Sequence, residues 1–399
     1  MNSKLIAVAL FLVTAATVFF YPRAQGVGVP PVNVTPNVVK PIAKPKVDVV
    51  FVLDTTGSMS GLIQAAKEKI FSVAGSMASA QPAPEIRIGL VAYRDRGDQY
   101  VTKVVDLSSD VDSVYAQLLD FTADGGGDGP ESVNQALYDA VHAVSWSQDP
   151  NSYKVIFLVG DASPHMDYQD DVKYPATIAA AKQKGIVVNT VQCGDDTDTQ
   201  QRWLEVASLA GGEYFRVGQS GDAVAIATPF DADIASLSRS LDDTRVYYGT
   251  KDEMVRHEAK VAATAKLHAT ASEASRARRA GFNASASGAA NAFGEGELVA
   301  DVAAGRIDAA KVPPASLPAP MQEMSAEERV AYVTEQADKR QKLSKQIGDL
   351  AAKRDAYLVD HVKAKGGAKD SFDDRVYAAV KEQAGKAGIE YDAAAAPKY

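Results

Sequence analysis

Val47-Asp48-Val49-Val50-Phe51-Val52-Leu53-Asp54-Thr55-Thr56-Gly57-Ser58 decides the fold of this chain. The run from Val47 to Leu53 is the pattern of a strand buried on both faces, and such strands belong to parallel sheets covered by helices. It ends in Asp-x-Thr-x-Ser, which places one carboxylate and two hydroxyls on a single turn above the sheet edge. Working outward, the same alternation recurs. Strands are expected at residues 85–95, 100–107, 153–159, 186–191 and 213–217, the second of these at an edge because it is more polar. Apolar residues at helical spacing (Leu62, Ala66, Ile70, Val73, Met77) predict a helix after the first strand. Further helices are expected at 111–121, 131–144, 176–184 and 200–210. The fold class that follows is α/β: a doubly wound, mainly parallel sheet, followed by an α-helical C-terminal region.

In such sheets ligands bind outside the carboxyl ends of the strands, where the strand order switches. Asp54 lies at one such end, and Asp161 at another, in Val159-Gly160-Asp161-Ala162-Ser163. Asp128 sits on a glycine turn before a helix, in Gly125-Gly126-Gly127-Asp128-Gly129-Pro130-Glu131. Three loops that each offer hard oxygen donors make a metal site. The candidate ligands are Asp54, Thr56, Ser58, Asp128 and Asp161, some acting through water. With no Cys or His among them, Mg²⁺ is expected, or Mn²⁺ or Ca²⁺, in preference to Zn²⁺. Asp124, Glu131 and His165 are assigned to the rim, Asp124 and Glu131 as supporting or solvent-facing residues. The competing reading is that Ser58, Ser60 and their neighbours merely cap the next helix. The glycine loop lacks the Gly-Lys-Ser/Thr ending of a phosphate-binding loop.

These motifs resemble the von Willebrand factor type A domain, also called the integrin I-like domain, over about residues 47–217. Its metal-ion-dependent adhesion site has Asp-x-Ser-x-Ser, a Thr in a second loop and an Asp in a third. Here the first element is Asp54-x-Thr56-x-Ser58 and the third is Asp161. The second departs, with Asp128 where the family usually has Thr; this form resembles bacterial members and the domain attached to some alpha-type kinases. With three carboxylates around one divalent ion the site would be formally negative, so a partner offering a neutral oxygen is expected rather than an acidic one.

Two other motifs invite a functional reading. Arg96-Gly97-Asp98 spells an integrin-recognised tripeptide, but Gly and Asp are ordinary turn residues after a strand. Ser163, His165 and Asp167 are close in sequence, and a catalytic triad needs spatial roles and an oxyanion donor besides.

At the N-terminus, Lys4 precedes an uncharged apolar stretch from Leu5 to Phe20, and Ala24-Gln25-Gly26 follows. That reads as an export signal cut after Gly26, or as an uncleaved anchor, although the stretch is short against the roughly 20 residues of a spanning helix. The expected organisation is a signal or anchor at 1–26, a Pro-rich spacer at 27–46, the sheet domain at 47–218, a helical extension and linker at 219–319, and a charged helical region at 320–399. Cys193 is the only cysteine, so no intramolecular disulfide forms, and its apolar context predicts a buried packing residue. The net charge of −9 argues against nucleic acid and anionic membrane surfaces as partners, leaving membrane contact to the possible anchor.

In the tail, helices are expected at 223–241 and 251–280, with a mobile small-residue linker at 280–291. Ser325 and Glu328 form a capping box that opens a long charged helix to about Lys363. Its apolar stripe (Val333, Leu343, Ile347, Leu350, Tyr357) is interrupted by Gln336, Arg340 and Arg354. A helical hairpin with 370–388 is therefore favoured over a long coiled coil. The function expected is divalent-metal-dependent binding of a protein partner by an exported chain, periplasmic, membrane-anchored or extracellular. The rivals are a metal-dependent enzyme of phosphoryl transfer or hydrolysis, and a scaffold in which metal only stabilises the fold.

Overall fold

The computed structural model describes residues 44–127, 129–218, 226–364 and 372–391. The export signal, nearly all of the Pro-rich spacer, and Asp128 lie outside the described residues. The central sheet is built from β1 (Lys46–Asp54), β2 (Glu85–Tyr93), β3 (Thr102–Ser108), β4 (Tyr153–Gly160), β5 (Ile186–Cys193) and β6 (Tyr214–Val217). Its order is β3-β2-β1-β4-β5-β6, with every pair parallel except the β2–β3 edge. β1 and β4, neighbours at the centre, carry chain to opposite sides of the sheet, so the strand order reverses between them. Asp54 ends β1 and Asp161 follows β4, and the two therefore flank the switch point.

Helices cover both faces because the strands are apolar on both. Val50, Val52, Ile156 and Leu158 pack under α3 (Val133–His142), α4 (Tyr174–Gln183) and α5 (Thr197–Ala210). Val49, Phe51, Val155 and Phe157 face α1 (Ser60–Met77) and α2 (Val111–Leu118) on the other side. Cys193 is buried in this second layer, as its sequence context predicted.

The tail supplies α6 (Asp231–Asp242), α7 (Lys251–Thr270), α8 (Glu273–Asn283), α9 (Ala326–Ala364) and α10 (Phe372–Lys386). Several expectations are corrected here. The helix foreseen over 251–280 is two, divided where Ser272 caps α8 by accepting from Ser275 N. The linker foreseen at 280–291 is ordered: Phe282 packs on Phe71, and buried Asn291 accepts from Asp112 N. Small polar composition suggested mobility, but these side chains have partners in the sheet domain.

The hairpin of α9 with 370–388 is replaced by two separate dockings. α10 lies over the sheet, where Phe372 meets Phe215 edge to face, Lys69 pairs with Asp373 at 2.6 Å, and Gln383 bonds both Tyr153 and Asn189. α9 docks through the residues that interrupt its apolar stripe. Arg340 is nearly buried and bonds Glu297 and Thr244, and Arg354 pairs with Asp231 at 2.7 Å.

Arg279 on α8 is fully buried between Asp112 on α2 and Asp242 on α6, bonding the first twice and the second at 2.8 Å. Burial alone would raise the Asp112 carboxyl, but the guanidinium outweighs it and holds the group well below the usual carboxylate range. Removing Arg279 takes the closest guanidinium from buried Asp112 and one of three basic partners from Asp242, which keeps Arg245 and His268. Arg279→Met is expected to lower stability by about 3–5 kcal/mol, the usual cost of breaking a buried pair. Urea unfolding checks this, and an unchanged midpoint would contradict it.

Candidate metal centre

The turn after β1 is fixed by its own hydrogen bonds. Thr56 donates to Asp54 Oδ1 from both its backbone N (2.9 Å) and its Oγ1 (2.6 Å). Ser58 Oγ donates to Asp161 Oδ1 at 3.0 Å, across the switch point. Thr56 Oγ1 and Ser58 Oγ lie 3.2 Å apart. Each hydroxyl has one proton to give. With both carboxylates ionised, two protons cannot serve these three contacts, so oxygen lone pairs then face each other wherever the protons go. Asp54 is fully buried, and its Oδ2 has no hydrogen-bond partner. A cation seated among these oxygens relieves both deficits.

The capping alternative is not realised. Neither the short turn Gly57–Met59 nor α1 receives a side-chain cap bond at its start. Ser58, which could have capped, points its hydroxyl at Asp161 instead.

A close approach of β1 and β4 makes the pairing possible. A Cβ on Gly160 would lie 2.9 Å from Asp54 Cβ and 3.0 Å from Asp54 Oδ2, so only glycine fits. The glycine loop is strapped to the first turn by backbone bonds, Gly57 N to Gly125 O and Asp124 N to Thr55 O. Gly125 and Gly126 both take positive φ there, +75° and +74°.

Burial is the main force that pushes the Asp54 carboxyl up to about 7; the bonds from Thr56 oppose it, the charge of Asp161 adds to it, and the Asp161 backbone N–H opposes it weakly. Asp161 is raised as well, chiefly by burial, against the bond from Ser58. Glu131 is not solvent-facing, one of the two readings given for it at the rim. It is 3% exposed, and its Oε2 has no partner. Its backbone is held between Ser163 O and His165 N. Burial first, then Asp54, Asp95, Asp98 and Asp161, push its carboxyl up to about 9.

His165, also assigned to the rim, is an interior strut. It is buried, stacks on Tyr168 at 4.0 Å, and sits between Asp167 (2.8 Å) and Asp95 (3.4 Å). Asp124 does stand at the surface, 3.8 Å from Arg94. Among the described residues no three His, Cys, Asp or Glu side chains converge as a ligand group. The donors that do converge are two carboxylates and two hydroxyls.

Sequence reading missed Arg94. It is buried, and its guanidinium bonds Thr55 O and Thr122 O, tying the first turn to the glycine loop. The available signal was its position: it directly follows β2 at the same edge as Asp54. Asp98 was also missed as a structural residue; its carboxylate accepts from Asp95 N and Gly126 N. Asp98 is thus committed internally, and Arg96 pairs with Asp170 and Asp171, so Arg96-Gly97-Asp98 is not presented as an adhesive tripeptide.

A family model described as the von Willebrand factor A domain matches residues 48–227. Over those residues the chain is similar to a von Willebrand factor A domain. Alpha-protein kinase vwkA of Dictyostelium discoideum is 28% identical over 120 residues, which is 30% of this chain and 19% of the kinase. This chain therefore spans about a fifth of that relative. Among solved structures, proximal thread matrix protein 1 from the mussel byssus, with a zinc occupied MIDAS motif, is 17% identical with a TM-score of 0.35, covering 43% of this chain and 42% of that one. A von Willebrand factor type A protein from Catenulispora acidiphila is 17% identical with a TM-score of 0.34, covering 44% and 39%.

The raised carboxyls of this site give chelated protein a specific pH dependence. A carboxyl with a folded value above its unfolded one holds its proton more tightly when folded. Its stabilisation is complete below the unfolded value and is lost as pH rises through the folded one. The window runs from 3.8 to about 7 for Asp54 and from 4.5 to about 9 for Glu131. Asp112 has the opposite sign, but its contribution is complete well above 3.8 and does not vary in this range. In EDTA the thermal midpoint is expected to fall between about pH 5 and about pH 8, and Glu131→Gln should flatten that slope. A midpoint that rises across this range, identically in the variant, would contradict the assignment.

Proposed function

We propose that this chain is a divalent-metal-dependent protein-binding module that works in the cell envelope or outside the cell. The observation that carries the reading is the shortage of protons among Asp54, Thr56, Ser58 and Asp161, together with the donorless Asp54 Oδ2 at the switch point of the sheet. These residues would hold the ion, Mg²⁺ by the hardness of the donors, with Asp128 as a further ligand from the glycine loop. A bound ion would offer a partner oxygen an open coordination position. Ser58 is exposed at the mouth of the site, where such an oxygen would arrive.

Arg94 is spent on backbone carbonyls and Arg96 on Asp170 and Asp171, which favours binding over phosphoryl transfer, a reaction that needs a cationic clamp on phosphate. Export is proposed from Lys4, the Leu5 to Phe20 stretch and the Pro-rich spacer. No helix of the described residues is long and apolar enough to cross a membrane.

Immobilised full-length protein should retain a specific protein from an envelope extract in Mg²⁺. It should release that protein on chelation and fail to retain it as Asp161→Asn. An identical retained set in EDTA would refute metal dependence. Recovery of the intact chain in the cytosol on fractionation would refute export.

A further inference from the structure

The loops around the proposed metal site form an acidic collar. Exposed Asp124 comes from the glycine loop, Asp167 from the loop after β4, and Asp195 and Asp198 from the start of α5; Asp98 and Asp170 lie on the same loops but are taken up by backbone amides and by Arg96. The basic residues of the same loops are Arg94, Arg96 and Lys173, each turned to its own chain, and Arg202, on α5 near Asp198, bonds Tyr174. Arg94 is buried on carbonyls; Arg96 pairs with Asp170 and Asp171 and lies over the Tyr168 ring at 4.1 Å; Lys173 donates to Tyr168 O. Two further carboxyls form its floor. Asp54 Oδ2 and Glu131 Oε2 are buried there without a hydrogen-bond donor. A divalent ion offsets part of this charge and leaves the rim negative.

We propose that this surface docks a basic polypeptide segment, rich in Lys and Arg, and rejects an acidic one. The proposal rests on the metal-binding reading for the centre of the site, and adds the charge of the partner. Charge of one sign gathered around a cleft focuses the field and steers an oppositely charged partner. Met166 and Val172 are exposed on the loop after β4, at 37% and 45%, and give the aliphatic stems of Lys and Arg a surface to lie on. The partner's own carbonyl or amide oxygen then meets the ion, which agrees with the neutral-oxygen expectation from Asp128.

The test uses the full chain and two labelled octapeptides, one Lys-rich and one Glu-rich, read by fluorescence anisotropy in Mg²⁺ and in EDTA. The Lys-rich peptide is expected to bind at least about tenfold tighter than the Glu-rich one. Asp195→Asn with Asp198→Asn should weaken it about threefold or more, with less effect at high salt. Asp124→Asn serves as a second collar variant, and Asp252→Asn on α7, away from the collar, should change nothing. Equal or tighter Mg²⁺-dependent binding of the Glu-rich peptide, or unchanged affinity in both collar variants, overturns the proposal. Calorimetry with Mg²⁺ alone separates the two readings. Mg²⁺ heat without Lys-rich binding refutes the collar and keeps the metal; Lys-rich binding without Mg²⁺ heat does the reverse.

Discussion

Protein ending at Ala364 is expected to lose the native sheet domain, although the removed residues begin more than a hundred positions after β6. α10 is the reason. Val376, Tyr377, Val380 and Ala384 are buried against the β1 and α1 side of the sheet, and Phe372 packs on Phe215. Fully burying one large apolar side chain stabilises by about 1.5–3 kcal/mol, so this set contributes on the order of 5–10 kcal/mol at its upper bound. That is comparable with the whole stability of an ordinary domain. Truncation also removes polar partners. Gln383 bonds Tyr153 and Asn189 in the interior, and Asp373 pairs with the nearly buried Lys69. Circular dichroism and urea unfolding of the truncated chain check this. A cooperative transition at the full-length midpoint would contradict it. For the same reason, metal binding belongs to full-length protein, not to a fragment ending near residue 218.

The extent to which the fold was legible follows from where the information sits. β1, β4 and β5 are continuous apolar runs, and their reading as central parallel strands needs only local pattern. The polar edge strand β3 was legible for the same reason. Asp54, Thr56, Ser58 and Asp161 were legible as strand-end oxygens, and the structure joins them in one run of hydrogen bonds. Asp128 lies outside the described residues. Glu131 and His165 were assigned to the rim because a lone titratable residue in a loop carries no sign of burial; both are buried where the loop after β4 folds back on α3.

The tail was less legible because its packing is polar. Arg340 and Arg354 read as stripe-breaking charges and Arg279 drew no reading, yet each is buried on a carboxylate far away in sequence. Charge complementarity between positions more than a hundred residues apart, as for Arg279 with Asp112 and Arg354 with Asp231, leaves no periodic trace. α10 shows the same limit: its amphipathic pattern announced a helix, but nothing local said that its apolar face belongs to the sheet.

The second large effect concerns the ion. Asp54 supplies the buried oxygen that has no donor, and its carboxyl is held up to about 7 in the absence of a cation. Metal must displace that proton, so Mg²⁺ affinity should fall by up to about tenfold per pH unit below about 7, with proton release on binding. Asp54→Asn removes the charge and keeps the shape. Loss of at least about a hundredfold in affinity is expected, because a carboxylate is the dominant donor for a hard cation and the amide presents an NH₂ in place of one carboxylate oxygen. Titration calorimetry of Mg²⁺ into the full-length protein and into Asp54→Asn, in two buffers of different ionisation enthalpy, is the most direct test. Binding with buffer-dependent heat in the first and none in the second is the predicted result; equal heats in both would contradict a metal centre at Asp54.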